Sequence, residues 1–348
     1  MAHEDTRRRR PRRRVGEHGR RLHSAGSAIA VSLAALVVGA LLNAPGIHKS
    51  AQIQPEGWKR DVALAVTAPL ASASGALFLD QPRRALKAAL GRSADDEVDT
   101  AVVVPAPTEP PTGGSGAPSA PSRERFTRSR PLRVWVAGDS LVVVPGESLL
   151  RAVGARPELR AAGPLDGRIA SGLTRPDVFN WFRHVRDELP DRKPRAVVLM
   201  FGGNDDHGFM TGLPEGATAG TFGSDRWQAE YGRRVAGMME TVTRSGAFLV
   251  WIGLPIARDP ERTRRYDTIN AIVQSEAGKR DGRVAYLDTY FFFAGPDGGY
   301  AQYVDDGAGR LVKMRADDGI HFERAAGDLV AGKVLDLLAE RFDLRRGG

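Results

Sequence analysis

The sequence contains no cysteine. This absence excludes a disulfide framework, a thiolate zinc site and a cysteine nucleophile. The chain also has no Gly-x-Ser-x-Gly segment, so the nucleophile elbow of the standard α/β-hydrolases is not supported. No internal repeat is evident, which argues against a solenoid or a propeller.

The excess of positive charge is concentrated at the N-terminus. Residues 1–23 contain nine arginines and three acids, so they hold +6 of the formal net charge of +8. A basic arm can bind nucleic acid, but the following run from Ala25 to Ala44 has no charged residue. Twenty helical residues reach about 30 Å, the thickness of the hydrocarbon core of a bilayer. We therefore interpret residues 1–23 as a basic cytoplasmic arm and expect no nucleic-acid partner.

The uncharged run predicts a transmembrane signal anchor over residues 24–44. By the positive-inside rule the arginines stay in the cytoplasm, and the rest of the chain is periplasmic or extracellular. The protein would then be a single-pass protein of the plasma (inner) membrane. A cleaved signal peptide and a buried soluble helix are the alternatives, although the run is longer than a usual signal-peptide core.

Composition divides the remainder into three parts. Residues 45–98 are interpreted as a membrane-proximal helical stalk, and residues 99–130 as a linker rich in Pro, Gly and Ser. Residues 131–345 are sufficient for one well-buried domain. Within that domain, apolar runs predict strands and amphipathic segments predict helices in alternation. The predicted strands are Leu132–Ala137, a weak strand around Leu165–Ile169, Ala196–Phe201, Ala247–Ile252 and Val284–Leu287. The predicted helices lie near Gly146–Gly154 and at Pro176–Glu188, Ser224–Ser245, Thr263–Gly278 and Glu323–Phe342.

Such alternation is typical of an α/β fold with a parallel sheet and helices on both faces. Three short polar motifs lie where active sites of such sheets occur, beside the carboxyl ends of strands. They are Gly138-Asp139-Ser140, Gly202-Gly203-Asn204-Asp205 and Asp318-Gly319-Ile320-His321.

The first and third motifs contain the residue types of nucleophilic catalysis. A serine hydroxyl such as that of Ser140 needs a base to accept its proton. His321 is the candidate base, and Asp318, three residues earlier, can orient the imidazole and stabilise its charged form. The alternative is that Ser140 and Asp318 only cap turns and that His321 only begins a helix.

Attack on an ester also requires donors for the oxyanion. The side-chain amide of Asn204 and the backbone N–H of Ser140 are two candidates. Gly172 is the third, because a glycine lets the backbone approach a ligand closely. Asn204 and Gly172 as ordinary loop residues are the alternative.

Together these residues resemble the SGNH (GDSL-type) hydrolase superfamily, whose four motifs carry Ser, Gly, Asn and His. The resemblance covers about residues 131–342, with Ser140, Gly172, Asn204, and Asp318 with His321 at the four motifs. The segments SGLTRPDVFNW, VWIGLP and DDGIHF, together with the helix from Trp227 to Arg234, also resemble an uncharacterised exported bacterial subgroup. The resemblance implies a three-layer α/β/α, flavodoxin-like fold and acyl hydrolysis or transfer without metal or coenzyme. The first motif reads GDSLVV and lacks the continuation of many lipolytic members, so lipid esters are less favoured.

Asp139, Asp205 and Arg315 are candidate substrate-binding residues. Arg315 would bind a carboxylate or a phosphate, or else only balance nearby acids. Asp205, Asp206 and His207 resemble a metal cluster, but consecutive residues rarely converge on one ion, so we expect no metal.

We expect a serine esterase that deacetylates an O-acylated glycan of the cell envelope. An O-acyltransferase using the same residues and a non-catalytic protein that binds glycan or a partner remain the alternatives. The sequence leaves the oligomeric state open.

Overall fold

The computed structural model describes residues 25–52, 58–82, 85, 101–103, 105, 123–207, 209–214, 217–305 and 308–344. The predicted basic arm and most of the predicted linker lie outside these ranges. Two compact units are distinguished, one formed by residues 1–51 and 62–94, the other by residues 52–61 and 95–348.

The described residues ahead of the three polar motifs include helices α1 (Ala25–Leu42), α2 (Ala44–Gln52) and α3 (Trp58–Ala76). Within the first unit the Ser74 hydroxyl donates to the Leu41 carbonyl at 2.7 Å. None of the described helices combines the length and the apolar composition needed to cross a bilayer. The anchor predicted over residues 24–44 stays a prediction.

The second unit is built on a parallel sheet. Its strands are β1 (Leu132–Gly138), β2 (Leu159–Ala161), β3 (Asp166–Gly167), β4 (Ala196–Met200), β5 (Phe248–Ile252) and β6 (Val284–Leu287). The order is β2-β1-β4-β5-β6, and β3 also pairs with β1. Every residue of β4 and β5 is buried, as expected for central strands covered on both faces. The α/β class and the parallel sheet predicted from the sequence are confirmed.

Five helices cover the sheet: α4 (Val143–Gly154), α5 (Trp181–Arg192), α6 (Asp225–Arg244), α7 (Pro260–Gly278) and α8 (Arg324–Arg341). Helix α4 packs against α8, and α6 packs against both α5 and α7. The largest buried side chains include Trp135, Trp181, Trp227 and Trp251. A short antiparallel hairpin, β7 (Tyr303–Asp305) with β8 (Leu311–Lys313), lies just before the His321 motif.

The structure differs from the sequence prediction in the start of α5 and in the short strands β2, β3, β7 and β8. Helix α5 begins at Trp181 rather than Pro176, because the Asn180 side chain caps it by accepting from the Arg183 amide. The weak strand expected around Leu165–Ile169 is only the two residues of β3, and β2 was not predicted. Hairpin β7–β8 was also missed, since its strands are three residues each and too short for a periodic signal.

Candidate active site

Ser140 stands at the carboxyl end of the central strand β1. It begins a short 3₁₀ helix, Ser140–Val142, that the Asp139 side chain caps by accepting from the Leu141 amide at 2.8 Å. Gly138 allows this turn, because a Cβ there would lie 2.1 Å from the Met200 carbonyl oxygen of β4. The turn leaves the Ser140 side chain half-buried at the edge of the sheet.

His321 meets Ser140 across 181 positions of sequence. Its Nε2 lies 2.9 Å from the Ser140 Oγ, and its Nδ1 lies 2.6 Å from the Asp318 Oδ2. With the proton on Nδ1, held by the carboxylate, Nε2 is free to accept the serine proton. The hydroxyl, the imidazole and the carboxylate thus form a continuous hydrogen-bonded series.

The turn from Asp318 to His321 is fixed by its own backbone. The second carboxylate oxygen of Asp318 accepts from the Ile320 amide at 2.8 Å and from the His321 amide at 3.0 Å. Gly319 adopts a φ of +75°, a conformation that favours glycine. Partial burial raises the pKa of Asp318, but the hydrogen bonds from His321 and Ile320 outweigh it and lower the pKa to about 2. Asp318 therefore stays ionised when the imidazole takes up a proton.

The three candidate oxyanion donors lie on neighbouring segments. Within the described residues, the backbone amides of Ser140 and Gly172 donate no hydrogen bond. The Asn204 side-chain amide donates one hydrogen to the Ser171 carbonyl at 3.0 Å. An amide NH₂ has two donors, so its other hydrogen remains for a ligand. Asn204 is thereby bonded to the residue next to Gly172.

Asp139 and Asp205 do not line a substrate site, which corrects the sequence interpretation. Both side chains are fully buried. Asp139 accepts from the amides of Leu141, Gly202 and Gly203. Asp205 accepts from the Leu173 and Thr174 amides and from two hydroxyl groups. Their oxygens are occupied by internal donors, so neither carboxylate is presented to a substrate.

Arg315 is also buried rather than exposed to substrate, which again corrects the prediction. Its guanidinium donates to the carbonyls of Ile256, Ile320 and His321. Burial lowers the pKa of Arg315 to about 10. Arg315 thus stabilises the turn from Asp318 to His321, which contains the base.

Trp181 and Arg234, to which the sequence interpretation gave no role in the site, support the oxyanion loop, defined here as residues 171–174. The Trp181 indole N–H donates to the Ser171 hydroxyl at 2.9 Å, and the buried Arg234 donates to the Leu173 carbonyl at 2.8 Å. Both lie on helices, where a tryptophan and an arginine give no signal of such a role. Within the described ranges, Asp205, Asp206 and His207 do not form a group able to hold a metal ion.

The site is of the SGNH type. Ser140 and His321 lie at the carboxyl edge of a parallel sheet, and Gly172 and Asn204 lie on neighbouring loops. The resemblance predicted from the sequence is thereby confirmed. The chain belongs to the family described as "Protein of unknown function (DUF459)", whose model matches residues 133–337.

Solved structures to which the chain is similar include a GDSL-like lipase from Bacteroides thetaiotaomicron. It is 14% identical with a TM-score of 0.42, over 60% of this chain and 88% of the other. A putative acylhydrolase from Bacteroides fragilis is 12% identical with a TM-score of 0.43, over 64% and 91% of the two chains. A catalytic mutant of an acetylxylan esterase from Geobacillus stearothermophilus is 17% identical with a TM-score of 0.39, over 62% and 97%. No curated protein matches this chain at a significant level.

Proposed function

We propose that residues 131–345 form a serine esterase that hydrolyses acyl esters through an acyl-serine intermediate. The observation that carries this proposal is the 2.9 Å approach of the His321 Nε2 to the Ser140 Oγ. This distance is a normal hydrogen bond between a nucleophile and its base. Asp318, 2.6 Å from the other ring nitrogen, is the orienting acid. The hydrogen-bonded series of Ser140, His321 and Asp318 disfavours the non-catalytic alternative, because a protein that only binds glycan or a partner does not require it.

In the proposed reaction the Ser140 Oγ attacks the ester carbonyl carbon while the His321 Nε2 takes the hydroxyl proton. The tetrahedral intermediate then collapses, and the bond to the leaving alkoxide breaks as His321 returns the proton to it. Water attacks the resulting acyl-serine, again giving a proton to His321. The carboxylic acid leaves, and Ser140 recovers its proton.

Three donors are proposed to stabilise the oxyanion of both tetrahedral intermediates: the Ser140 and Gly172 amides and the Asn204 side chain. The two amides have no competing acceptor among the described residues. Donors that are fixed before the reaction stabilise developing charge more than mobile water does.

The helix contacts favour a three-layer α/β/α arrangement. Helix α4 packs against α8, and α6 packs against α5 and α7.

Hydrolysis is favoured over transfer to an alcohol acceptor by the exposure of the base. The side chains of His321 and Asp318 are 39% and 46% exposed, so solvent water has access to the base that would activate it. The O-acyltransferase alternative would require an acceptor to exclude that water. Product analysis with an acetyl ester and a glycan acceptor separates the two reactions, because only transfer gives acetylated glycan.

An O-acylated glycan of the cell envelope is the proposed substrate class. This part rests on the sequence alone, on the arginine-rich segment followed by the uncharged run from Ala25 to Ala44. The proposed site of action is accordingly the periplasmic or extracellular side of the membrane.

The test is fluorophosphonate labelling followed by peptide mapping, together with hydrolysis of p-nitrophenyl acetate. The label is expected on the peptide that contains Ser140, and Ser140→Ala is expected to abolish both labelling and turnover. Ser245→Ala is the matched control, because Ser245 ends helix α6 just before β5 begins, at the opposite edge of the sheet. Labelling that persists in Ser140→Ala would mean that another residue is the nucleophile.

A further inference from the structure

Two buried carboxylates lie behind the catalytic serine without touching His321. Asp139 and Asp205 are both 0% exposed. A buried carboxylate is costly unless its oxygens are hydrogen-bonded. The partners of these two groups therefore indicate what the carboxylates hold together.

Asp139 joins the nucleophile turn to the loop after β4. One oxygen accepts from the Leu141 amide at 2.8 Å. The other accepts from the Gly202 amide at 3.0 Å and the Gly203 amide at 2.8 Å. The amides it binds thus follow Ser140 on one segment and precede Asn204 on the other.

Asp205 joins that same loop to the oxyanion loop 171–174. Its Oδ2 accepts from the Leu173 amide at 3.1 Å, and its Oδ1 accepts from the Thr174 amide at 2.9 Å and the Thr174 hydroxyl at 2.8 Å. The approach is so close that a Cβ on Gly172 would lie 2.2 Å from Oδ1. Gly172 is therefore packed directly on this carboxylate.

The Tyr231 hydroxyl also donates a hydrogen bond to the Asp205 Oδ2, at 3.0 Å. Burial, together with the nearby carboxylates, raises the pKa of Tyr231 well above its usual value. The phenol stays protonated and donates to Asp205. Unlike the other partners, Tyr231 belongs to helix α6 and not to a loop that carries an oxyanion donor.

Each of the three oxyanion donors is adjacent in sequence to one of these linkages. The Ser140 amide follows Asp139, Asn204 lies between Gly203 and Asp205, and Gly172 precedes Leu173. Oxyanion stabilisation depends on donors held in a fixed relative position. We propose that Asp139 and Asp205 are positioning residues, which lock the three donor segments together and so set the geometry of the oxyanion hole. This inference rests on the proposed esterase function.

The carboxylates are suited to this task because an ionised carboxylate accepts hydrogen bonds at both oxygens. An asparagine in either position accepts at one oxygen only and turns an N–H₂ toward the remaining amide donors. The arrangement has a cost. Desolvation raises the pKa of Asp139 to about 7, with a further contribution from the neighbouring Asp205, against the opposing amide hydrogen bonds.

The test uses Asp205→Asn and Asp139→Asn with two substrates, p-nitrophenyl acetate and its thiono analogue. In the thionoester the atom that receives the developing charge is sulfur, a larger and weaker hydrogen-bond acceptor than oxygen. A wild-type oxyanion hole should prefer the oxygen ester. Since loss of one donor costs about 10²–10³ in kcat, each variant should lose about 10²-fold in kcat with little change in KM. The preference for oxygen over sulfur should fall in parallel.

Two comparison variants separate positioning from general damage. Tyr231→Phe removes the one partner of Asp205 that lies outside the donor loops, so it should lower stability while keeping the oxygen-to-sulfur preference. Asp318→Asn should lower kcat for both esters alike, because it affects the base. Circular dichroism and thermal unfolding establish that each variant is folded.

If the asparagine variants do not fold, Thr174→Val decides. It removes only the hydroxyl bond to Asp205 and leaves the carboxylate and the Thr174 amide in place. A reduced oxygen preference in this variant supports the inference. A wild-type protein that hydrolyses neither ester would refute the proposed function itself. An active wild type whose folded asparagine variants, or Thr174→Val, retain the wild-type preference would overturn the positioning role alone.

Discussion

Asp318→Asn is the substitution for which the structure fixes the outcome most closely. The Asp318 Oδ1 accepts from two backbone amides, those of Ile320 and His321. An asparagine must therefore place its oxygen at this position and its NH₂ toward the His321 Nδ1. That ring nitrogen then has to accept rather than donate. The imidazole proton moves to Nε2, where it faces the Ser140 hydroxyl, and the base is blocked.

The expected loss follows from this change of tautomer. Replacing the orienting acid of a catalytic triad by its amide lowers kcat about 10⁴-fold when the geometry is kept. Because Asp318 and His321 are 46% and 39% exposed, water can compete for the ring, so we expect a loss of about 10³-fold, or about 4 kcal/mol of transition-state stabilisation. The assay is steady-state hydrolysis of p-nitrophenyl acetate, with KM expected to stay nearly constant.

Asp317→Asn is the matched control. Asp317 is the preceding residue, but its side chain is 86% exposed and pairs with Lys313 rather than with His321. Its substitution should leave kcat within about twofold of wild type, as is usual for an exposed pair. A folded Asp318→Asn protein whose kcat stays within tenfold of wild type would refute the triad assignment.

The pH dependence of the wild type provides a second check. Hydrogen bonds from His321 and Ile320, which outweigh partial desolvation, lower the pKa of Asp318 from 3.8 to about 2. The stabilisation from Asp318 is therefore fully present above its ordinary pKa of 3.8 and is lost as the pH falls to about 2. Asp318 remains ionised wherever the enzyme is folded and assayed, so its own protonation should not contribute to the acid limb of kcat above about pH 4. A step in kcat between about pH 4 and pH 6 that Asp318→Asn abolishes would contradict this.

Two further substitutions test the remaining parts of the site. Asn204→Ala should lower kcat by about 10²–10³ with little change in KM, measured with p-nitrophenyl acetate; an unchanged kcat would exclude Asn204 from the oxyanion hole. Arg315→Met should leave the carbonyls of Ile256 and Ile320 without their donor, lowering the free energy of unfolding by about 3 kcal/mol, measured by urea denaturation. Arg315→Lys should recover only part of this, since an ammonium lacks the planar fork, and a wild-type urea midpoint in Arg315→Met would show that the buried contacts do not matter.

The sheet was predictable because its signal is local and strong. Ala196–Met200 and Phe248–Ile252 are buried along their whole length, and a continuous apolar run is what a strand covered on both faces requires. The motif residues were predictable for a related reason. Parallel strands bring their carboxyl ends to one edge, so Ser140 and Asn204 were expected at the same edge of the sheet, whereas the adjacency of β1 and β4 is known only from the structure.

The limits of helix α5 and the short strands were not predictable in the same way. Pro176 is a good first residue of a helix, but the capping bond at Asn180 moves the start to Trp181. Strands of two or three residues, such as β3 and β7, contain too few positions for an alternation of apolar and polar residues to be visible. Their pairing is decided by neighbours distant in the sequence.

The roles of Asp139, Asp205 and Arg315 were misjudged for a physical reason. Each is a charged residue within or beside a catalytic motif, and a charged residue in such a loop is expected to face solvent or substrate. In the fold, the loops leave backbone amides and carbonyls that no strand or helix satisfies, and unsatisfied buried groups are costly. The Gly202 and Gly203 amides donate to the Asp139 carboxylate. The Ile256 and Ile320 carbonyls accept from the Arg315 guanidinium.

The hydrogen-bond requirements of buried backbone groups also explain why the side chain of Ser140, and not that of Asp139, is available as a nucleophile. Both follow Gly138 on one turn, and either side chain is polar enough to face solvent. The loop after β4 presents two amides to the turn, and only a carboxylate accepts from both of them while also capping the Leu141 amide. Asp139 is therefore drawn inward, and Ser140 faces the His321 imidazole. The direction of the Ser140 side chain is thus set by the hydrogen-bond requirements of the loop after β4. The sequence of the Gly138-Asp139-Ser140 motif alone does not contain this information.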